Sequence, residues 1–126
     1  MNEVTTEAGA VSAPELFRYL CPEHGGLVSI REDGRSYLLR PFKDGVWIKF
    51  AEKKPEVPLE KWRANKRAAF ALLPYWQTSV TDLPDDATLN RWLVDGVCET
   101  PDGDEIEPDG TSWKGVPSWL VALKLM

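Results

Sequence analysis

An Asp-Gly dipeptide between two runs of alternating residues places the strongest constraint on how this chain folds. Asp33-Gly34 separates LVSIRE, residues 27–32, from RSYLLRPF, residues 35–42. A tight hairpin turn needs positive φ, which Gly and Asp tolerate, and the flanking alternation is typical of strands. A looser Lys43-Asp44-Gly45 turn then leads into a third run, VWIKF. The sequence therefore predicts a three-stranded antiparallel meander.

Helix signals flank this meander on both sides. Ser12-Ala13-Pro14-Glu15 has the spacing of a capping box and predicts a short helix through Leu20. Beyond the meander, Pro58 opens a helix through LEKWRANKRAAFALL, and Asp85-Asp86 begins another that Gly96 ends. Pro117-Ser118 introduces a last helix, SWLVALKL. About four helices are therefore expected around the meander.

Length and composition favour one α+β domain. A chain of 126 residues with 43% apolar residues can bury a single core. We predict this domain over residues 12–126, preceded by a flexible lead at residues 1–11. The N-terminus lacks the basic start and apolar run of a secretory signal, and no apolar stretch approaches the ~20 residues that cross a bilayer. A cytoplasmic protein without membrane contacts is expected.

The stretch VCETPDGDEIEPDG, residues 97–110, holds six carboxylates and neither Lys nor Arg. Its turn residues, Pro101-Asp102-Gly103-Asp104, predict a small acidic hairpin. A calcium loop of the EF-hand type does not fit, because Gly stands second rather than sixth and Trp113 occupies the twelfth place counted from Asp102. We predict neither a metal nor another cofactor.

Charge is distributed unevenly along the chain. The segment from Asp82 to Asp109 has ten acids and one base, a net charge of −9, whereas the remainder has a net charge of +4. The electric field of such a segment steers partners of opposite charge. We therefore expect an acidic surface that binds a basic protein partner and inhibits or regulates it. In one version of this hypothesis the carboxylates mimic the phosphates of a nucleic acid. Simple solvated charge is the alternative. The predicted contact residues are Asp85, Asp86, Glu99, Asp102, Asp104, Glu105, Glu107, Asp109 and Trp113.

Two features favour nucleic acid as an alternative partner. Residues 58–107 have the order helix, helix, hairpin of a winged helix, although the second helix and the hairpin are acidic where phosphate contacts require Lys or Arg. The first of these helices carries four bases, which are Lys61, Arg63, Lys66 and Arg67. The overall pI near 4.9, in contrast, argues against a nucleic-acid partner.

Cys21 and His24 form a C-x-x-H spacing that suits either zinc or a nucleophile and its base. With Cys98 they supply three ligands, one fewer than a structural zinc site needs. As a catalytic pair they lack an identifiable third group that orients the base. A small enzyme using Cys21 and His24 therefore stays an alternative, and reduced thiols are favoured over a disulfide.

The C-terminal segment has the pattern Glu107-Pro108-Asp109-Gly110, then Gly115, then Pro117-Ser118-Trp119-Leu120 and Ala122-Leu123. This pattern resembles the endings of small uncharacterised accessory proteins of proteobacterial plasmids, phages and integrative elements. The resemblance covers about the last twenty residues and implies no catalytic residue. It implies a protein that binds and blocks another protein.

Overall fold

Strands dominate the first half of the chain and helices the second. The computed structural model describes residues 13–126 and the backbone of residues 5–6 and 9–10. The strands are β1 (Thr5–Thr6), β2 (Gly9–Ala10), β3 (Glu15–Cys21), β4 (Gly26–Arg31), β5 (Arg35–Leu39), β6 (Ile48–Glu52), β7 (Cys98–Glu99) and β8 (Glu105–Ile106). The helices are α1 (Leu59–Ala71), α2 (Tyr75–Thr78), α3 (Asp86–Asp95) and α4 (Trp119–Ala122). The chain is α+β, as predicted.

Strands β3 to β6 form one antiparallel sheet in sequential order, while β1 pairs with β2 and β7 with β8. In the main sheet Ser29 faces Tyr37, and Leu38 faces Ile48. Gly34 adopts a φ of 93° in the turn between β4 and β5, where Asp-Gly predicts a hairpin. The antiparallel meander is confirmed, with four strands rather than three.

The added strand is β3, and the prediction of a helix beginning at Ser12 is wrong for its described part. Residues 15–21 pair with β4 through the turn that follows Cys21. Leu20 packs into one core cluster, whereas Cys21 packs into another, so successive side chains enter opposite faces as a strand requires. Ser12 and the predicted flexible lead, residues 1–11, lie outside the described residues except for the backbone of β1 and β2.

Different helices cover the two faces of the sheet. On one face Leu20 and Leu27 pack with Leu89 of α3 and Leu120 of α4. On the other face Val28 and Ile30 pack with Trp62 of α1, and the ring of Phe70 lies 4.4 Å from that of Phe17. Every residue of β4 is buried, because this strand contributes side chains to both clusters.

Helix boundaries follow the cap residues. Asp85 caps α3 by accepting a hydrogen bond from the Thr88 amide at 2.7 Å, and Gly96 ends the helix with a left-handed φ of 72°. Ser118 caps the short α4 in the same way, whereas the four-residue α2 was not predicted. Within the described part of the chain, no helix has the length and apolarity needed to cross a membrane.

A buried ionic cluster joins β3 to β4. The Glu15 carboxylate accepts hydrogen bonds from Arg18 Nε at 3.0 Å and from Ser29 Oγ at 2.5 Å, and Arg31 Nη2 lies 3.7 Å away. These three charged side chains are at most one-tenth exposed. Arg18 Nη2 and two nitrogens of Arg31 are buried without a hydrogen-bond partner. Glu15 is therefore the main compensation for two buried guanidinium groups.

We expect Glu15→Gln to lower the free energy of unfolding by roughly 3 kcal/mol, because it leaves two buried cations without their anion. Urea denaturation measures the change. The control is Glu52→Gln, which breaks an exposed ion pair with Arg35 and should have little effect. Equal losses in the two variants would contradict this role of Glu15.

Candidate functional site

The predicted acidic hairpin is present and is anchored in the core at its base. Cys98 is fully buried, and Thr100 is 1% exposed. The turn is closed by hydrogen bonds from the Thr100 amide to the Asp104 carbonyl at 2.8 Å and from the Asp104 amide to Thr100 Oγ1 at 2.9 Å. The Thr100 hydroxyl also bonds Asp102. The buried base fixes the backbone from which the carboxylates of the hairpin project.

Glu99 and Glu105 lie directly opposite each other in the hairpin and are both exposed. Neither forms an ion pair with any residue in the described part of the chain. Like charges in directly opposed positions destabilise a strand pair. The hairpin therefore carries a local electrostatic cost that a cation from outside the chain would relieve.

Lys114 compensates the turn of the hairpin. Its ammonium lies 3.3 Å from Asp104 Oδ2 and 3.7 Å from Asp102 Oδ2, and the hydrogen bond to Asp104 raises the pKa of the lysine. Sequence reasoning missed this residue because it lies outside the acidic segment. Of the predicted contact residues, Asp102 and Asp104 are thus partly neutralised, whereas Glu99 and Glu105 are not.

Trp113 projects from the loop that carries Lys114. An isolated bridge between Thr111 and Pro117 closes this loop, and the Ser112 hydroxyl accepts a hydrogen bond from the Val116 amide at 3.2 Å. The indole is 90% exposed and has the Lys114 ammonium 5.5 Å from its ring centroid. A large aromatic side chain held outside the core is a suitable anchor for a protein partner.

The acidic segment does not form a single uniform surface. Asp85 and Asp86 line a hollow that also contains Arg40 and Lys43. They begin α3, and the hairpin follows its end, so a helix of ten residues, about 15 Å long, separates the two groups. Glu107 and Asp109 are exposed in the segment after the hairpin. The structure brings Asp102, Asp104 and Lys114 together and leaves Asp85 and Asp86 beside other bases.

Exposed apolar side chains precede the hairpin, and the sequence analysis did not select them. Val94 is 84% exposed at the end of α3, and Leu93 and Val97 are each more than two-fifths exposed. They differ from Leu89 and Trp92 of the same helix, which are buried. The signal was present in the sequence, since Val94 falls outside the helical stripe defined by Leu89 and Trp92.

Two of the four bases on α1 are occupied within the chain. Arg63 donates from Nε and Nη2 to the Glu32 carbonyl, at 2.9 and 2.7 Å. The Lys66 ammonium lies 5.8 Å from the Trp62 ring centroid. Lys61 and Arg67 are exposed. This arrangement leaves α1 with a smaller cationic surface than the sequence suggests.

Cys21 and His24 lie within contact distance, with Sγ 3.2 Å from Nδ1. Cys21 is buried, and among the described residues no carboxylate hydrogen-bonds to the His24 ring to orient it. Burial, followed by the charges of Cys21 and Glu23, raises the pKa of the neighbouring Tyr19 to about 12. The pair lacks the third member of a catalytic arrangement.

Cys98 does not join Cys21 and His24. Cys21 packs in the cluster beneath α1, and Cys98 packs in the cluster beneath α3 and α4. Both thiols are free. Over the described residues, no group of three or more His, Cys, Asp or Glu side chains has an arrangement that could hold a metal ion.

Comparison with known proteins adds no relative of this chain. A scan against protein-family models, a search of curated proteins and a search of solved structures each returned no match.

We expect Asp85→Ala to destabilise the protein and Asp85→Asn to be milder, since Asn can also cap α3. The hydrogen bonds to Thr88 lower the pKa of Asp85 below its ordinary value of 3.8. A depressed folded-state pKa means that the ionised cap stabilises above the unfolded value and loses this effect as the pH falls through the folded value. The stability difference between wild type and Asp85→Ala should therefore shrink below about pH 4, measured by urea denaturation. A pH-independent difference would contradict an ionised cap.

Proposed function

We propose that this chain is a non-enzymatic binding protein whose acidic hairpin docks on a basic surface of a protein partner. The contact centres on Glu99, Glu105 and Trp113. Asp102 and Asp104 take part through their pairing with Lys114, and Glu107 and Asp109 extend the negative field. Asp85 and Asp86 lie at the far end of α3, beside Arg40 and Lys43, and contribute less to this contact. The chain acts in the cytoplasm as an accessory protein of a mobile element and inhibits or regulates its partner.

The single observation that carries this proposal is the exposed, uncompensated pair of Glu99 and Glu105 beside the buried base of the hairpin. Repulsion between the carboxylates costs stability in the free protein and falls when a Lys or Arg of a partner approaches both. A bound cation of the partner is thus attracted to both carboxylates and also reduces the repulsion between them.

Trp113 supplies the apolar part of the proposed contact. Binding energy in protein interfaces concentrates in a few buried aromatic or Arg side chains, while rim charges mainly set association rate and specificity. An indole that is 90% exposed in the free chain can be buried by a partner without disturbing the core. The resemblance of the C-terminal segment to mobile-element accessory proteins supports an inhibitory role.

We expect Glu99→Gln combined with Glu105→Gln to weaken partner binding roughly tenfold at low salt while raising the melting temperature. The matched control is Glu56→Gln with Glu60→Gln, which removes two exposed carboxylates elsewhere and should leave binding nearly unchanged. Immobilised protein variants are incubated with cell extract at rising salt, and retained proteins are quantified by mass spectrometry. Equal retention by the hairpin variant and the wild type would refute the electrostatic contact.

Trp113→Ala should reduce retention of the same partner at all salt concentrations, because the anchor is apolar rather than charged. The melting temperature should stay within about 1 °C of wild type, since an exposed surface side chain contributes little to folding. The control is Phe50→Ala, which also removes an exposed aromatic side chain but lies outside both the hairpin and the loop of Trp113. If retention survives Trp113→Ala, the indole is not part of the contact.

A further inference from the structure

A groove of about 600 Å³ lies over the end of the sheet that α1 leaves uncovered. Leu38 and Ile48, which face each other across β5 and β6, line it together with Phe50. Val46 and Phe42 line it from the loop between the strands. The side chains of Ile48 and Phe50 are 43% and 38% exposed. The other residues of β6 are polar or have small side chains. Five of the eight lining residues are apolar, the groove is open, and its size is in the range of pockets that hold small molecules.

The loop that borders the groove holds Phe42 in an unfavourable backbone conformation. Phe42 has a φ of 62° and Asp44 a φ of 53°. A bulky side chain rarely adopts positive φ, and such strain persists where the surrounding structure imposes it, often at binding sites. The Phe42 ring is 40% exposed at the groove instead of buried in the core.

A preoriented guanidinium stands at the rim of the groove. Arg40 Nε donates to the His24 carbonyl at 3.2 Å, and neither Nη group has a hydrogen bond to any residue that the structure describes. Lys43 is the second cation of the lining, and Asp44 is its one carboxylate. The two cations also line the neighbouring hollow that contains Asp85 and Asp86. A guanidinium held through Nε presents both Nη groups end-on, which is a geometry that binds a carboxylate with two hydrogen bonds.

From these three features we propose that the groove binds a small amphipathic carboxylate, with its apolar chain on Leu38, Ile48 and Phe50 and its headgroup on the Nη groups of Arg40. This site is separate from the acidic hairpin and uses charge of the opposite sign. The Arg40 hydrogen bond and the Phe42 backbone conformation that it uses are already present in the free chain.

The edge of the sheet favours a small molecule over an added peptide strand. The pairing of β6 with β5 shifts by one residue between Ser36 and Tyr37, which leaves Phe50 as a bulge. Glu52 is engaged by Arg35 at 3.1 Å and by Lys49 at 3.8 Å. Bulges and edge charges hinder pairing with a further strand.

The proposal is tested with decanoate and its neutral analogue decan-1-ol by isothermal titration calorimetry on the full chain. We expect saturable binding of one decanoate per chain and weaker binding of decanol. Arg40→Gln should weaken decanoate binding roughly tenfold and leave decanol unchanged, because only the carboxylate loses its charged hydrogen bonds. Arg67→Gln, an equal charge change on α1, is the control and should not alter either ligand.

Phe42→Gly is a second test variant, and we do not expect it to destabilise the fold. Glycine accepts positive φ without strain, so the melting temperature should rise or stay constant while both ligands bind more weakly through loss of the aromatic wall.

Absence of saturable decanoate binding would overturn the proposal, as would equal effects of Arg40→Gln and Arg67→Gln. A wild-type dimer in light scattering that Phe50→Ser converts to monomer would also overturn it, because the groove would then be covered by a second copy.

Discussion

Glu15 is the anion on which the assembly of the sheet depends. Its carboxylate binds Arg18 on its own strand and Ser29 on β4, with Arg31 nearby. Arg18 then reaches the Thr81 carbonyl at 3.0 Å and lies 5.1 Å from the Trp47 ring centroid. One buried carboxylate thus connects two strands and, through Arg18, the segment before α3 and the residue that precedes β6. Burial of two guanidinium groups is tolerated because this anion accompanies them and because the Thr81 and Ala13 carbonyls accept hydrogen bonds from Arg18 and Arg31.

The same packing explains which surfaces stay exposed. Trp62 and Phe70 of α1 cover β3 and β4, so the sheet beyond β5 is left open as the groove. Cys98 and Leu120 fill the other face, which leaves the turn of the acidic hairpin outside the core. The exposed acidic hairpin and the open groove are therefore two consequences of one arrangement of helices on a four-stranded sheet.

Local chemistry predicted the elements that are stabilised by neighbours in sequence. Gly34 and Gly103 adopt positive φ in the turns where the sequence predicts hairpins, and Asp85 and Gly96 bound α3. The strand β3 was missed because Ser12 and Glu15 match a capping box. Glu15 instead bonds Ser29, which lies fourteen residues away, and pairing with β4 overrode the local preference. A long-range ionic contact of this kind has no signature in a short window of sequence.

For the candidate site, the sequence by itself determined the hairpin, its negative charge and the residues that form its turn, because turn propensity and formal charge are properties of residues and their immediate neighbours. Only the tertiary structure decided that Lys114 pairs with Asp102 and Asp104, that Glu99 faces Glu105, and that Trp113 lies outside the core. Only the fold, likewise, brought Arg40 and Phe50 together beside one groove. Register, burial and the distance between charges depend on how separate segments pack, and that packing is settled by the whole chain at once.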